Sequence, residues 1–186
     1  GAHEHPTQSL LDCYTIQQSI GEITGKRIII VGDIKHSRVA RSNIKAFTAM
    51  GAEVTLVAPR TLLPEDTSAW PVAITPDLDT ALSEADVVYM LRMQLERQRE
   101  AFVPSLREYA TDFGLTLERA GRLKENAIIM HPGPMNRGIE IASDVPELPN
   151  ALVTNQVANG VIVRMAVLYH LLGTGVDLIE EGEEHG

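Results

Sequence analysis

One cysteine, Cys13, is all the thiol the chain has, so no disulfide can form within it. That suits a reducing compartment and points to a cytoplasmic protein. Aromatic residues are nearly as scarce, at 4% of 186 residues. A core must therefore be aliphatic, and 44% apolar residues supply enough Val, Ile, Leu, Ala and Met to make one. Basic residues are outnumbered, 16 against 25 acids, for a formal charge of −9, and five of the acids fall in the tail Asp177 to Glu184. With no basic cluster set against that balance, nucleic acid is not an expected partner. No apolar run reaches bilayer-crossing length and no signal peptide is visible, so no membrane association is expected either. Metal spacing is missing: His3-x-His5 has no clustered ligands behind it, so no metal is expected. Val31-Gly32-Asp33 hints at a dinucleotide site, but the G-x-G-x-x-G pattern is absent and the next strand ends Ala58-Pro59-Arg60, with no acid for a ribose. Neither a Walker loop nor a G-x-S-x-G elbow occurs.

What is present is an alternation of strands and helices. Pro6 opens a helix with His5 as its flanking cap, Leu10, Leu11, Tyr14 and Ile16 as its apolar positions and Gly21 as its end. Ile28 to Gly32 is a buried-type strand. Ser37 caps a second helix whose inward positions are Val39, Ala40, Ile44, Phe47 and Met50. Further strands are expected at Glu53 to Ala58, Val72 to Thr75, Asp86 to Leu91 and Ala127 to Met130. Helices are expected from Leu78 to Ala85, in pieces between Leu95 and Gly121, and from Asn155 to Leu172, with loop from Pro132 to Pro149. Apolar strands spaced by helices predict an α/β, Rossmann-like doubly wound parallel sheet of about five strands with flanking helices.

In such sheets ligands sit outside the carboxyl ends of the strands. That rule selects Asp33 to Arg38, Arg92-Met93-Gln94 and His131-Pro132-Gly133-Pro134. Two of these carry arginines, and a cationic crevice in an acidic protein suits a small anionic ligand. His5 and Gln8, three apart at a helix start, share a face where free N–H groups favour an anion or a carbonyl oxygen. Each has a plainer reading: His5 as a cap, Gln8 and Arg38 as surface residues, Gly133-Pro134 as a turn.

Four ordered segments carry a family resemblance. His5-Pro6-Thr7-Gln8 followed by Leu11 and Asp12, Val31-Gly32-Asp33 through Arg38 to Ser42, Arg92-Met93-Gln94-x-Glu96-Arg97, and His131-Pro132-Gly133-Pro134-Met135-Asn136-Arg137-Gly138 resemble the motifs of the carbamoyltransferases, and the last two resemble the aspartate branch. The resemblance implies transfer of a carbamoyl group from carbamoyl phosphate to L-aspartate, giving N-carbamoyl-L-aspartate and phosphate in pyrimidine synthesis, with no cofactor. It assigns His5, Gln8, Gly133 and Pro134 to carbamoyl phosphate, with His5 at the reacting carbonyl, and Arg38, Arg92 and Gln94 to aspartate. It makes Leu95 to Tyr109 a water-excluding flap.

The family's phosphate loop and its lysine-bearing loop belong to an N-terminal domain and do not occur in this sequence. Residues 1–14 are accordingly expected to begin a bridging helix from that domain, 15–153 to form the aspartate-binding domain, 154–174 a helix packing back on the N-terminal domain, and 175–186 an acidic tail. The resemblance also implies a homotrimer, and a regulatory chain or dihydroorotase as further partners. A noncatalytic scaffold homologue and a dinucleotide-binding domain are the competing readings.

Overall fold

The computed structural model describes residues 3–94 and 106–180. Among them, five strands form one all-parallel sheet: β1 (Arg27–Val31), β2 (Glu53–Val57), β3 (Ala73–Thr75), β4 (Val87–Met90) and β5 (Ile128–Met130), in the order β3-β2-β1-β4-β5. Ile28 lies between Val54 and Val87, and Val31 between Val57 and Met90, so β1 is the central strand, with β4 beside it. Both are fully covered, apart from Arg27 at the start of β1. This is why they read as unbroken apolar runs rather than alternating ones.

Among the described residues, six α-helices complete the layers: α1 (Pro6–Ile20), α2 (Arg38–Ala49), α3 (Leu78–Glu84), α4 (Leu106–Phe113), α5 (Leu117–Ala120) and α6 (Val153–Glu180). The β1–α2–β2 crossover and the β3–α3–β4 crossover run in opposite directions along the sheet. Right-handed connections then put their helices on opposite faces. On one face α1 packs against both α2 and α6. Gly160 of α6 faces α1 at close range: a Cβ there would stand 3.3 Å from Leu11 Cδ2, and 2.7 Å from the guanidinium of Arg164 on its own helix.

The expected elements are found, with shifts that have physical causes. Strand ends retract by a residue or two, and β3 starts at Ala73 because it is a short, largely exposed edge. Leu10 is 49% exposed rather than inward, since the buried face of α1 is set by Gln8, Leu11, Asp12, Thr15 and Ile16. The stretch Pro132 to Pro149 is mainly loop, with a 3-10 turn at Val145–Glu147. Helix α6 does not stop at Leu172 but continues to Glu180, so the first part of the acidic tail is helical. No Pro intervenes, and Gly173 and Gly175 both lie within the helix, where glycine weakens but does not end it. The flap reading falls mostly on residues 95–105, outside the described residues; its end, Leu106 to Tyr109, begins α4.

Candidate functional site

Strand order reverses between β1 and β4, and the segments leaving the carboxyl ends of β1, β4 and β5 meet above that point. A cleft of about 240 Å³ there is lined by His5, Gln8, Ser37, Arg38, Val39, Arg92, Gln94, Pro132, Gly133 and Pro134. All seven residues singled out in the sequence as site candidates line this one cleft. Three larger clefts lie among the described residues, one of about 600 Å³ beside Lys35, Arg60 and Glu65, and none of the three gathers the loop ends of β1, β4 and β5.

Each wall is built by ordinary local chemistry. Ser37 caps α2, its Oγ accepting from Ala40 N at 3.1 Å, and this fixes the first turn on which the exposed Arg38 stands. Asp33, fully buried, accepts from His36 N at 3.2 Å and lies 2.9 Å from His36 Nδ1, closing the turn between β1 and α2. Gln94 Nε2 donates to His36 O at 3.3 Å, so the β4 loop is tied to the β1 loop. Asn136 Nδ2 donates to Met93 O at 2.8 Å and ties the β5 loop to the β4 loop in turn. Arg92 is half-buried between them.

His5 occupies the cap position of α1, but its side chain makes no capping bond. Its backbone N donates instead to Ser42 Oγ at 2.8 Å, and Ser42 Oγ donates to Glu4 Oε2 at 2.6 Å. Lys45 and Arg41, which donates to His3 O, hold the same segment on α2. Burial holds the His5 imidazole below its ordinary pKa, and the positive charges of Arg38 and Arg164 act in the same direction. The ring is therefore neutral at neutral pH. Thr7 Oγ1 lies 3.4 Å from Nδ1, and a hydroxyl donating there leaves the ring proton on Nε2.

Beneath Gln8 sits a carboxylate to which the sequence reading assigned no role. Asp12 is completely buried. Its Oδ1 accepts from Gln8 Nε2 at 3.1 Å and Gln156 Nε2 at 2.8 Å; its Oδ2 accepts from Asn43 Nδ2 at 2.9 Å and the Tyr89 hydroxyl at 2.6 Å. Burial pushes its pKa up to about 6, and the four donors act against that rise. Gln156 carries the network onward, since its Oε1 accepts from His131 N at 2.9 Å. Gly133 N donates to His131 Nδ1 at 2.9 Å, which leaves the proton of a neutral ring on Nε2, 3.2 Å from the buried Glu140 Oε1. Only the Gln8–Asp12 spacing, four apart on one helix face, could have signalled any of this in the sequence. The partners Asn43, Tyr89, His131, Glu140 and Gln156 come from elements that sequence order does not bring together.

The arrangement can bind rather than attack. It offers guanidinium groups at Arg38 and Arg92, amides at Gln8 and Gln94, a neutral imidazole at His5 and a backbone wall at Gly133-Pro134, whose peptide is cis. Among the described residues no group of three or more His, Cys, Asp or Glu could hold a metal ion. Cys13 is buried and its thiol is pushed up to about 12, so it is no nucleophile.

The family model described as the Asp/Orn binding domain of aspartate/ornithine carbamoyltransferase matches residues 24–171. The chain belongs to the aspartate/ornithine carbamoyltransferase family. It is 57% identical over 175 residues to the aspartate carbamoyltransferase catalytic subunit of Acidothermus cellulolyticus, covering 94% of this chain and 54% of that one. To the protein of the same description from Thermobifida fusca it is 56% identical, covering 95% and 56%. Among solved structures it resembles aspartate transcarbamoylase from Trypanosoma cruzi in complex with carbamoyl aspartate and phosphate, with TM-score 0.78 and 32% identity over 91% of this chain and 56% of that one. The ornithine carbamoyltransferase of Pyrococcus furiosus gives TM-score 0.77 at 27% identity, covering 90% and 56%. The chain thus spans little more than half the length of the carbamoyltransferases it matches. Membership removes the dinucleotide-binding reading, in keeping with the missing glycine pattern.

Proposed function

We propose that this chain supplies the amino-acid half of an aspartate carbamoyltransferase site, which transfers the carbamoyl group of carbamoyl phosphate to L-aspartate in pyrimidine synthesis. The observation that carries this is the convergence of Arg38, Arg92 and Gln94 with His5, Gln8 and Gly133-Pro134 on one cleft. Two guanidinium groups suit a dicarboxylic amino acid, because a planar fork grips two oxygens at once. They repel the side-chain ammonium of ornithine. The curated relatives quoted above are all of the aspartate branch, which favours the same choice.

In this mechanism the protein positions and neutralises charge; it forms no covalent intermediate. Arg38, Arg92 and Gln94 hold aspartate by its carboxylates so that its amine faces the carbamoyl carbon. The neutral His5 donates to the carbonyl oxygen, where charge grows in the tetrahedral transition state. Gln8 and the Gly133-Pro134 backbone hold the carbamoyl end. The departing phosphate takes the amine proton.

The remaining part of the site is assigned to an N-terminal domain of the kind the longer relatives have room for. Residues 1–14 would lead from it, 15–153 form the aspartate-binding unit, and α6 packs back on it. Exposed apolar side chains on α6 support that packing: Val161, Met165, Leu168, Tyr169 and Leu172 are each more than half exposed. A homotrimer in the cytoplasm, with a regulatory chain or dihydroorotase as further partners, belongs to the same proposal. No helix of the described residues is long and apolar enough to cross a membrane.

The test is an assembly of this chain with a carbamoyl-phosphate-binding half, assayed with aspartate and with ornithine. Carbamoyl aspartate should form and citrulline should not. Equal or greater activity with ornithine would overturn the substrate choice; failure of the Arg92→Ala variant to change aspartate dependence would overturn the site.

A further inference from the structure

The carboxylate of Asp12 is four bonds deep in donors, two on each oxygen, from α1, α2, β4 and α6. A carboxylate of this kind only accepts. Every amide that meets it must therefore turn its nitrogen inward. For Gln156 this leaves Oε1 for His131 N, a bond the structure shows. For Gln8, with Nε2 committed at 3.1 Å, it leaves the carbonyl Oε1 turned away from Asp12, on a residue that lines the cleft.

We propose that Asp12 is a positioning residue that fixes the direction of the Gln8 amide, so that the site presents an acceptor to the substrate's N–H₂ and thereby selects a carbamoyl group over an isosteric acyl group. The inference rests on the function proposed above and deepens it. A free glutamine amide offers N–H as readily as C=O, because the two ends differ little in size. Held by an acceptor-only partner, it offers C=O alone. A carbamoyl group carries N–H₂ where an acetyl group carries a methyl. The fixed carbonyl bonds the first and is left without a partner against the second. Sites built to bond a substrate N–H reject analogues that lack it far more strongly than sites that only match shape. Through Gln156 the same carboxylate also steadies the His131–Gly133 segment, so both sides of the carbamoyl end share one anchor.

The experiment compares carbamoyl phosphate with acetyl phosphate, in the assembly of this chain with its carbamoyl-phosphate half. The readout is the ratio of the acetyl phosphate inhibition constant to the carbamoyl phosphate KM. The wild type should bind acetyl phosphate at least tenfold more weakly; equal binding would overturn the proposal without any variant. Asp12→Ser leaves space for water to satisfy the four donors, and water donates as readily as it accepts, so the Gln8 amide is freed. Its carbamoyl phosphate KM should rise about tenfold or more while acetyl phosphate inhibition stays unchanged, collapsing the ratio. Asp12→Asn should keep the ratio within about threefold. Its oxygen can still face Gln8 and Gln156, because Gln156 is pinned by His131 N, while its nitrogen faces Asn43 and Tyr89, which can turn to accept. Equal weakening of both phosphates in Asp12→Ser would mark a merely structural role, and collapse of the ratio in Asp12→Asn would mark the charge rather than the acceptor geometry; either overturns the inference. If Asp12→Ser fails to fold, Asp12→Ala, which leaves similar space for water, is read by the same ratio and the same outcomes. A wild-type assembly that makes no carbamoyl aspartate would overturn the function and this inference together, whereas an active assembly with an unchanged ratio in Asp12→Ser overturns the inference alone.

Discussion

Arg92 and His5 stand on different walls of the same cleft and should fail differently when truncated. On the proposed assignment, Arg92→Ala in the complete enzyme removes a charge-assisted clamp on a substrate carboxylate, and should cost roughly 2–5 kcal/mol of transition-state binding, mainly in the aspartate KM. On the same assignment His5→Ala removes a bond that would tighten only as the oxyanion forms, so turnover should fall with little change in KM. Steady-state kinetics at varied aspartate separate the two, and a pure kcat effect in Arg92→Ala would contradict the clamp. Asp12 makes a prediction about stability. Its folded pKa of about 6 lies above the ordinary 3.8, so between those values the folded state holds a proton that the unfolded state has lost. The stability this group contributes is present in full below about pH 4 and is lost as pH rises to about 6 and beyond. Relative to Asp12→Asn, the native sequence should therefore gain stability on acidification from pH 8 to pH 4, approaching about 3 kcal/mol. Urea unfolding of both proteins across that range measures it. A difference independent of pH would mean that Asp12 does not titrate as its burial dictates.

Helices α2 and α6 show what the sequence could and could not reveal. Ser37 as the cap of α2, with Ala40, Ile44 and Phe47 inward, was readable from spacing alone, and all three are fully covered in the fold. The carboxyl-end rule likewise located Arg38, Arg92 and Gly133-Pro134 once the strands were found, because strand ends are where a parallel sheet leaves its loops free. Asp12, Asn43, Tyr89 and Gln156 were not readable as a group. Their meeting depends on how three helices and a strand pack, and a buried carboxylate looks in sequence like any other acid. Helix α6 carries a nearly continuous apolar run, expected to pack on an N-terminal domain, and in this chain that run is exposed, Tyr169 at 82% and Met165 at 65%. Composition records the surface a helix covers in the whole protein, not what a given stretch of chain supplies. Two element-level outcomes follow. Ser37→Ala should cost about 1 kcal/mol of stability through loss of the cap, measurable by thermal melt, and a loss near zero would mean that the first turn of α2 is held elsewhere. Replacing Met165 and Leu168 with glutamate should reduce self-association of the chain in sedimentation velocity, because it breaks an apolar patch; unchanged association would place the sticky surface elsewhere.

Taken whole, the molecule is one open parallel sheet with a cationic cleft at its switch point and an apolar helix face beside it. The cleft brings together two arginines, two glutamine amides and an imidazole, which on the proposed function would meet an amino acid and a carbamoyl carbonyl. The family's phosphate-gripping and lysine-bearing loops are absent from its sequence. If the proposed function holds, activity depends on groups this stretch of chain does not supply, and the exposed apolar face of α6 is where the unit supplying them should dock. The most direct measurement is a carbamoyl aspartate assay of this purified chain, first alone and then mixed with the amino-terminal half of a relative such as the Thermobifida fusca catalytic subunit. The account predicts no product from the chain alone and product on mixing, abolished by Arg92→Ala. Full activity from the chain alone, or none after a physically demonstrated association of the two halves, would contradict it.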